Sequence, residues 1–221
     1  MDNLFDHAAK ETAERKAPLA ERMRPRTFDE FAEQTEVVGA NTPLRRAIEG
    51  DVLRSIILHG PPGTGKTTLA KIIAGMTKSH FETINAVMAG VADIRRVVAE
   101  AKERMSLYRE GTVLFIDEIH RFNKGQQDAL LPFVENGLLV LIGSTTENPL
   151  FSVNRPLLSR SRLFRLEPLS RAGLMQILQR ALEDAERGLG IYQVNLEPGV
   201  LSYLAGVANG DALSLIHTRC V

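Results

Sequence analysis

Ser55-Ile56-Ile57-Leu58-His59-Gly60-Pro61-Pro62-Gly63-Thr64-Gly65-Lys66-Thr67-Thr68 is the stretch from which this 221-residue chain is best read. Residues 55–59 are a short apolar run with β-branched members, closed by Gly60 and Pro61, which predicts a buried strand. Gly60 to Thr67 then fits the pattern G-x-x-x-x-G-K-[ST]. Each part of that pattern has a physical task. The glycines let backbone N–H groups close around phosphate oxygens, Lys66 reaches the outer phosphates, and the Thr67 hydroxyl ligates Mg²⁺. A helix predicted to start at Lys66 directs its positive end at the same anion. A strand before the loop and a helix after it distinguish this pattern from a chance glycine-rich turn. Gly60, Pro61, Pro62, Gly63, Thr64, Gly65, Lys66 and Thr67 are the expected phosphate-binding set, for a nucleotide with Mg²⁺.

Outward from the loop, apolar runs at 81–85, 113–116, 139–143 and 163–166 predict four more strands. Helical patterns at 66–75, 92–109 and 126–136 separate them. In the second helix Ile94, Val97, Val98, Ala101 and Met105 recur at helical spacing and form one apolar face. Strands alternating with helices predict an α/β domain with a five-stranded parallel sheet and right-handed crossovers. After Pro168 the pattern is helical only, at 171–187 and 198–208. The expected organisation is a flexible tail over 1–17, a nucleotide-binding α/β domain over 18–168, and a small all-α lid over 169–221.

The run at 113–116 ends in Asp117-Glu118. A phosphate loop needs a second metal anchor from a neighbouring strand, and Asp117 suits it. Glu118 is placed to polarise a water as general base. The metal set is therefore Thr67 and Asp117, and Lys66, Asp117 and Glu118 are expected to be catalytic.

Composition sets limits around these motifs. The chain has 27 basic and 27 acidic side chains, which excludes a globally basic nucleic-acid-coating protein but leaves room for local patches. Its single cysteine, Cys220, excludes an intrachain disulfide framework and a cysteine-based zinc site. No uncharged run approaches the roughly 18 residues of a membrane span, and residues 1–10 lack the apolar centre of a signal peptide. A cytoplasmic protein is the expectation.

With these residues in place the sequence resembles the AAA+ ATPases. More narrowly, it resembles the bacterial replication-associated recombination protein A family, relatives of Werner-helicase-interacting proteins and clamp-loader subunits. The resemblance runs over about residues 18–212 and is carried by 18–25, 60–68, Asp117-Glu118-Ile119-His120-Arg121-Phe122-Asn123-Lys124, 142–149 and 157–160. It implies that Thr146 is a first sensor contacting the γ-phosphate or attacking water, although capping the next turn is the commoner task for such a residue. It implies that Arg160 is a finger reaching a neighbouring subunit's nucleotide, with Arg162 as competitor. Arg24, Pro25 and Val38 match a segment lining the adenine pocket, where plain core contact is the blander reading. His120 reads either as a nucleotide or DNA sensor or as a packed histidine, and Arg121 and Lys124 as DNA-facing or merely solvated charges.

The family's lid ends Asn-Gly-Asp-Ala-Arg, the arginine acting as second sensor. Here the sequence is Asn209-Gly210-Asp211-Ala212-Leu213. The remaining residues do not resemble the family, and its further helical, tetramer-forming region is absent, as expected of a truncated or frameshifted product. An uncharged Leu213 implies that the chain binds ATP but hydrolyses it poorly. The resemblance implies a Mg²⁺-dependent ATPase acting on DNA at stalled replication forks, near single-strand-binding protein, as a nucleoid-associated homo-oligomer. Two alternatives stand beside it: a clamp-loader subunit, and a nucleotide-gated module with weak turnover. A small-molecule kinase is a poor fit, because no acceptor-site motif is evident.

Overall fold

The computed structural model describes residues 17–217; residues 1–16 of the expected tail, with Arg219 and Cys220, lie outside them. In chain order the elements are α1 (Leu19–Arg22), α2 (Thr35–Val38), α3 (Pro43–Glu49), β1 (Ile56–His59), α4 (Lys66–Met76), β2 (His80–Asn85), α5 (Val91–Tyr108) and β3 (Thr112–Asp117). A 3-10 turn, Ile119–Arg121, precedes α6 (Lys124–Asp128), α7 (Leu131–Glu135), β4 (Leu139–Thr145), α8 (Pro149–Ser152), α9 (Arg155–Ser159) and β5 (Arg162–Arg165). Then come α10 (Arg171–Glu183), α11 (Val200–Val207) and α12 (Ala212–His217).

The five strands form one parallel sheet in the order β2-β3-β4-β1-β5. β4 therefore lies between β1 and β3. The C-terminal ends of all three meet where an open α/β sheet presents its ligand crevice. Strands covered on both faces must be apolar throughout. Ile57, Leu58, Leu114, Ile116, Leu141 and Ile142 accordingly have no measurable exposure. Each such side chain stabilises the fold by about 1.5–3 kcal/mol over its exposed state.

Three helical expectations need correction. The run at 126–136 is two helices rather than one. Pro132 sits at the start of α7, has no N–H to donate and excludes the carbonyl four residues back, so the helix breaks after Asp128. The first piece also begins earlier, because Asn123 and Gln126 exchange side-chain-to-backbone bonds of 2.9 Å in a capping box. In α5, Ile94, Val97, Val98 and Ala101 are buried, whereas Met105 is 38% exposed. Leu107 and Tyr108 are exposed with it, so the last turn runs past the packed part of the face. Finally, α10 stops at Glu183. The Asp184 carboxylate accepts the N–H groups of Glu186 (2.9 Å) and Arg187 (2.8 Å), turning the chain locally. Those backbone donors hold the Asp184 carboxyl below its ordinary range, against the opposing effect of burial.

The chain divides into two units, Arg26–Glu167 and the pair of segments up to Pro25 and from Pro168. Residues 18–25, expected with the α/β domain, group with the helical segment instead. There α1 packs on α12, and Met23 is 2% exposed. The helical unit has its own small core of Leu169, Leu174 and Ala205. Among the described residues no helix is long and apolar enough to cross a membrane.

Candidate functional site

The loop after β1 is shaped by glycines. Gly60, Gly63 and Gly65 have φ of +150°, +68° and +97°, a region L side chains avoid. A Cβ at Gly60 would lie 2.2 Å from the Leu166 carbonyl oxygen, and one at Gly65 would lie 2.7 Å from the Phe31 ring. Backbone and ring thus leave no room for a side chain at either glycine. No side chain caps α4, whose first residue is Lys66, so its leading N–H groups face the loop. The Lys66 ammonium, almost fully buried, donates to the carbonyl oxygens of Gly60 and Pro61 at 2.7 Å each. The Thr64 hydroxyl donates to the Pro61 carbonyl at 2.9 Å and braces the turn. Thr67 is half-buried and Thr68 buried, while Pro61 and Pro62 are exposed. His59, just before the loop, is held below its ordinary pKa of 6.5 chiefly by burial, then by the Arg165 cation; Glu167 opposes this and Lys66 adds to it.

Across the crevice, β3 ends at Asp117, and Glu118 turns into the left-handed region at φ 55°. Both carboxylates are half-buried. β4 extends two residues further than its apolar run suggests, and those two hydroxyls organise the site. Ser144 is fully buried, donates from Oγ to Asp117 Oδ1, and accepts the Glu118 N–H at 3.3 Å. Thr145 is also fully buried, and its Oγ1 lies 2.9 Å from His120 Nδ1. The same oxygen accepts the Glu147 N–H at 3.0 Å, and the Thr145 carbonyl accepts the Gly60 N–H at 3.3 Å. Thr146 is exposed on the bend that follows. Sequence reasoning passed over Ser144 and Thr145. The signal was a pair of hydroxyls closing an otherwise apolar strand.

The donor set suits a magnesium nucleotide. Among the described residues there is no group of three His, Cys, Asp or Glu side chains able to cage a metal. Mg²⁺ asks for no cage, being held by one or two protein oxygens together with substrate phosphates and water. Thr67 and Asp117 would supply those oxygens.

Arg160 follows α9. Its guanidinium bonds the Pro156 carbonyl (2.9 Å) and the Ser159 hydroxyl (3.0 Å), and pairs with Glu135 at 2.6 Å. Gln127 fixes that region, donating to the Phe122 and Ser152 carbonyls and accepting the Asn154 N–H at 2.7 Å. Arg162 is exposed at the start of β5 and, with Arg54 and Phe164, lines a cavity of about 270 Å³. Arg121 and Lys124 are exposed. Val38 is buried in the α/β core. Arg24 and Pro25 belong to the helical unit, where Arg24 pairs with Glu21. Leu213 lies on α12 and is 49% exposed, its N–H held by the Asp211 carboxylate at 2.8 Å.

A family profile described as "ATPase family associated with various cellular activities (AAA)" matches residues 56–170, which run from β1 to the start of the helical segment. The chain is 50% identical over 200 residues to a Coxiella burnetii protein named replication-associated recombination protein A, covering 90% of this chain and 45% of that one. A Haemophilus influenzae protein of the same name is 48% identical over 195 residues, 88% of this chain and 44% of its own length. The chain thus spans less than half the length of these relatives. Among solved structures, the RuvB Holliday junction branch migration motor of Thermotoga maritima superposes with a TM-score of 0.70 at 30% identity. It covers 88% of this chain and 63% of its own.

Proposed function

Because this chain belongs to the ATPase family associated with various cellular activities, we propose that it binds ATP with Mg²⁺ and hydrolyses it in the service of DNA replication and recombination. One observation carries the reading. The ends of β1, β4 and β3 are tied together by Gly60 N–H to the Thr145 carbonyl and by Ser144 Oγ to Asp117, so phosphate loop and carboxylates form one assembly. In this reading the loop amides, α4 and Lys66 hold the phosphates. Thr67 and Asp117 would hold Mg²⁺, which when bound would supply positive charge to offset that developing on the phosphates. Glu118 accepts a proton from the attacking water, whose oxygen bonds to the γ-phosphorus as the bond to the bridging oxygen breaks and ADP leaves.

The DNA role rests on the names of the relatives: a replication-associated recombination protein and a Holliday junction motor. Stalled forks, gaps and strand junctions are the proposed substrates, with single-strand-binding protein nearby in the cytoplasm. Thr146 is the proposed first sensor. Arg160 is the proposed finger, completing a neighbouring copy's site in a homo-oligomer. Phosphate release by the purified chain, with and without forked DNA, tests the reading. Expected are Mg²⁺-dependent turnover and its loss in Lys66→Ala; turnover that survives Lys66→Ala refutes it.

Slow turnover is a second reading favoured by one residue. Leu213 carries no charge where the family has arginine. Leu213→Arg is expected to raise the rate by about tenfold or more, the scale of a cation at transferring phosphate. No increase, with the lid still folded, removes this reading.

A further inference from the structure

We propose that His120 is a positioning residue that sets the Glu118 carboxylate and ties it to the phosphate loop through Thr145. The proposal rests on the hydrolase reading above and adds a residue to it.

The His120 side chain is 5% exposed and lies within reach of three groups. Nδ1 is 2.9 Å from Thr145 Oγ1 and 3.1 Å from Glu118 Oε2, and Nε2 is 3.6 Å from Glu147 Oε1. An imidazole nitrogen has one in-plane proton or one lone pair, so Nδ1 serves one partner at a time. That partner is Thr145. Glu118 Oε2 is buried beside the ring and has no hydrogen-bond partner among the described residues. A buried carboxylate oxygen without a donor is held there by its surroundings. Two constraints are visible: the left-handed backbone of Glu118, which fixes where its side chain departs, and the ring of His120, whose Nδ1 lies 3.1 Å from Oε2.

Thr145 links this pair to the loop. Its hydroxyl orients His120, and its carbonyl accepts the Gly60 N–H at the mouth of the phosphate loop. A continuous path therefore runs from Gly60 through Thr145 and His120 to Glu118, all within one structural unit. A shift of the loop on engaging phosphate is transmitted to the ring and so to the carboxylate.

The test is steady-state hydrolysis of Mg-ATP by the full chain and its variants. His120→Ala is expected to lower kcat by about 10- to 100-fold while KM stays within about twofold, because alignment is lost and binding is not. Asn places a nitrogen near the Nδ1 position and Gln near Nε2, so His120→Asn restores most of the rate and His120→Gln does not. Thr145→Val, matched in shape, lowers kcat in the same way. In a Glu118→Gln background, His120→Ala costs nothing further. An unchanged kcat in His120→Ala, equal rescue by Asn and Gln, or independent losses in the double variant overturns the proposal.

If the wild-type chain does not turn over, the hydrolase reading falls first. The His120 assignment is then decided by its ring ¹⁵N shifts: movement on Glu118→Gln and on Thr145→Val supports it, and no movement refutes it. The same spectra decide the matter if His120→Ala does not fold.

Discussion

Replacing Ser144 by Ala removes one oxygen from the junction of β3 and β4. The hydroxyl is fully buried, donates to Asp117 Oδ1 and accepts the Glu118 N–H at 3.3 Å. A hydrogen bond to a charged group contributes about 1.5–3 kcal/mol, and the longer bond to the amide adds roughly 0.5 kcal/mol. Asp117 is half-buried, so water replaces part of the lost donor. The net loss is expected near 2 kcal/mol, or roughly 4–8 °C in the melting temperature of a domain this size. The functional effect is separate from the stability effect. Ser144 orients the carboxylate proposed to anchor Mg²⁺, and losing such an outer partner is expected to weaken metal binding by about tenfold or more. Calorimetric melting without nucleotide reads the first effect. Phosphate release titrated with Mg²⁺ reads the second, as a higher half-saturating concentration. A melting temperature unchanged within about 1 °C, together with an unshifted Mg²⁺ titration, would refute the reasoning.

Gly60→Ala places a Cβ 2.2 Å from the Leu166 carbonyl oxygen at a φ of +150°. The obstacle is backbone, so stability should fall by about 3 kcal/mol and fluorescent-ATP binding should vanish; near-normal binding counts against the loop geometry. His59 binds its proton less readily folded than unfolded, so its contribution to stability is present above about pH 6.5. That contribution is lost as pH falls through 6.5, levelling off below the lowered folded value. His59→Asn should therefore flatten the dependence of melting temperature on pH over that window, and parallel curves for variant and wild type exclude it. Arg160→Ala breaks an exposed pair with Glu135 and should cost under about 1 kcal/mol in stability. If Arg160 acts on a neighbouring copy, ATPase should drop about a thousandfold while nucleotide binding persists, and a proportionate loss of both argues against a finger.

What sequence could reveal divides along a physical line. β1, β3 and β4 were legible because a strand buried on both faces must be apolar along its length. The loop was legible because closing backbone around phosphate requires glycine at positions such as Gly65, whose φ is +97°. Asp117 and Glu118 stood out as charges at the end of such a strand. Contacts between distant segments were not legible. Ser144 and Thr145 look like any strand terminus until β3 is laid beside β4, and only then does His120 meet Thr145, 25 residues away. Pro132 was visible in the sequence, but the break it makes depends on its position in the helix. The grouping of residues 18–25 with the C-terminal helices has no local sequence signal, because it arises from packing of α1 on α12.

The strand order has a consequence for how the chain is made. β1 pairs with β4 and β5 and with no nearer strand; the Ser55 hydroxyl at its start accepts the Leu141 N–H from 86 residues further along. During synthesis at roughly 5–20 residues per second, Ile56 to His59 leave the ribosome about 4–17 s before either neighbour exists. A four-residue apolar strand with both edges open must wait for that interval. The nucleotide loop attached to it cannot take its final shape until Thr145 and Leu166 arrive to brace Gly60. Nascent chains arrested before residue 139 should therefore be held by chaperones that recognise extended apolar segments, and ATP should be unable to rescue them.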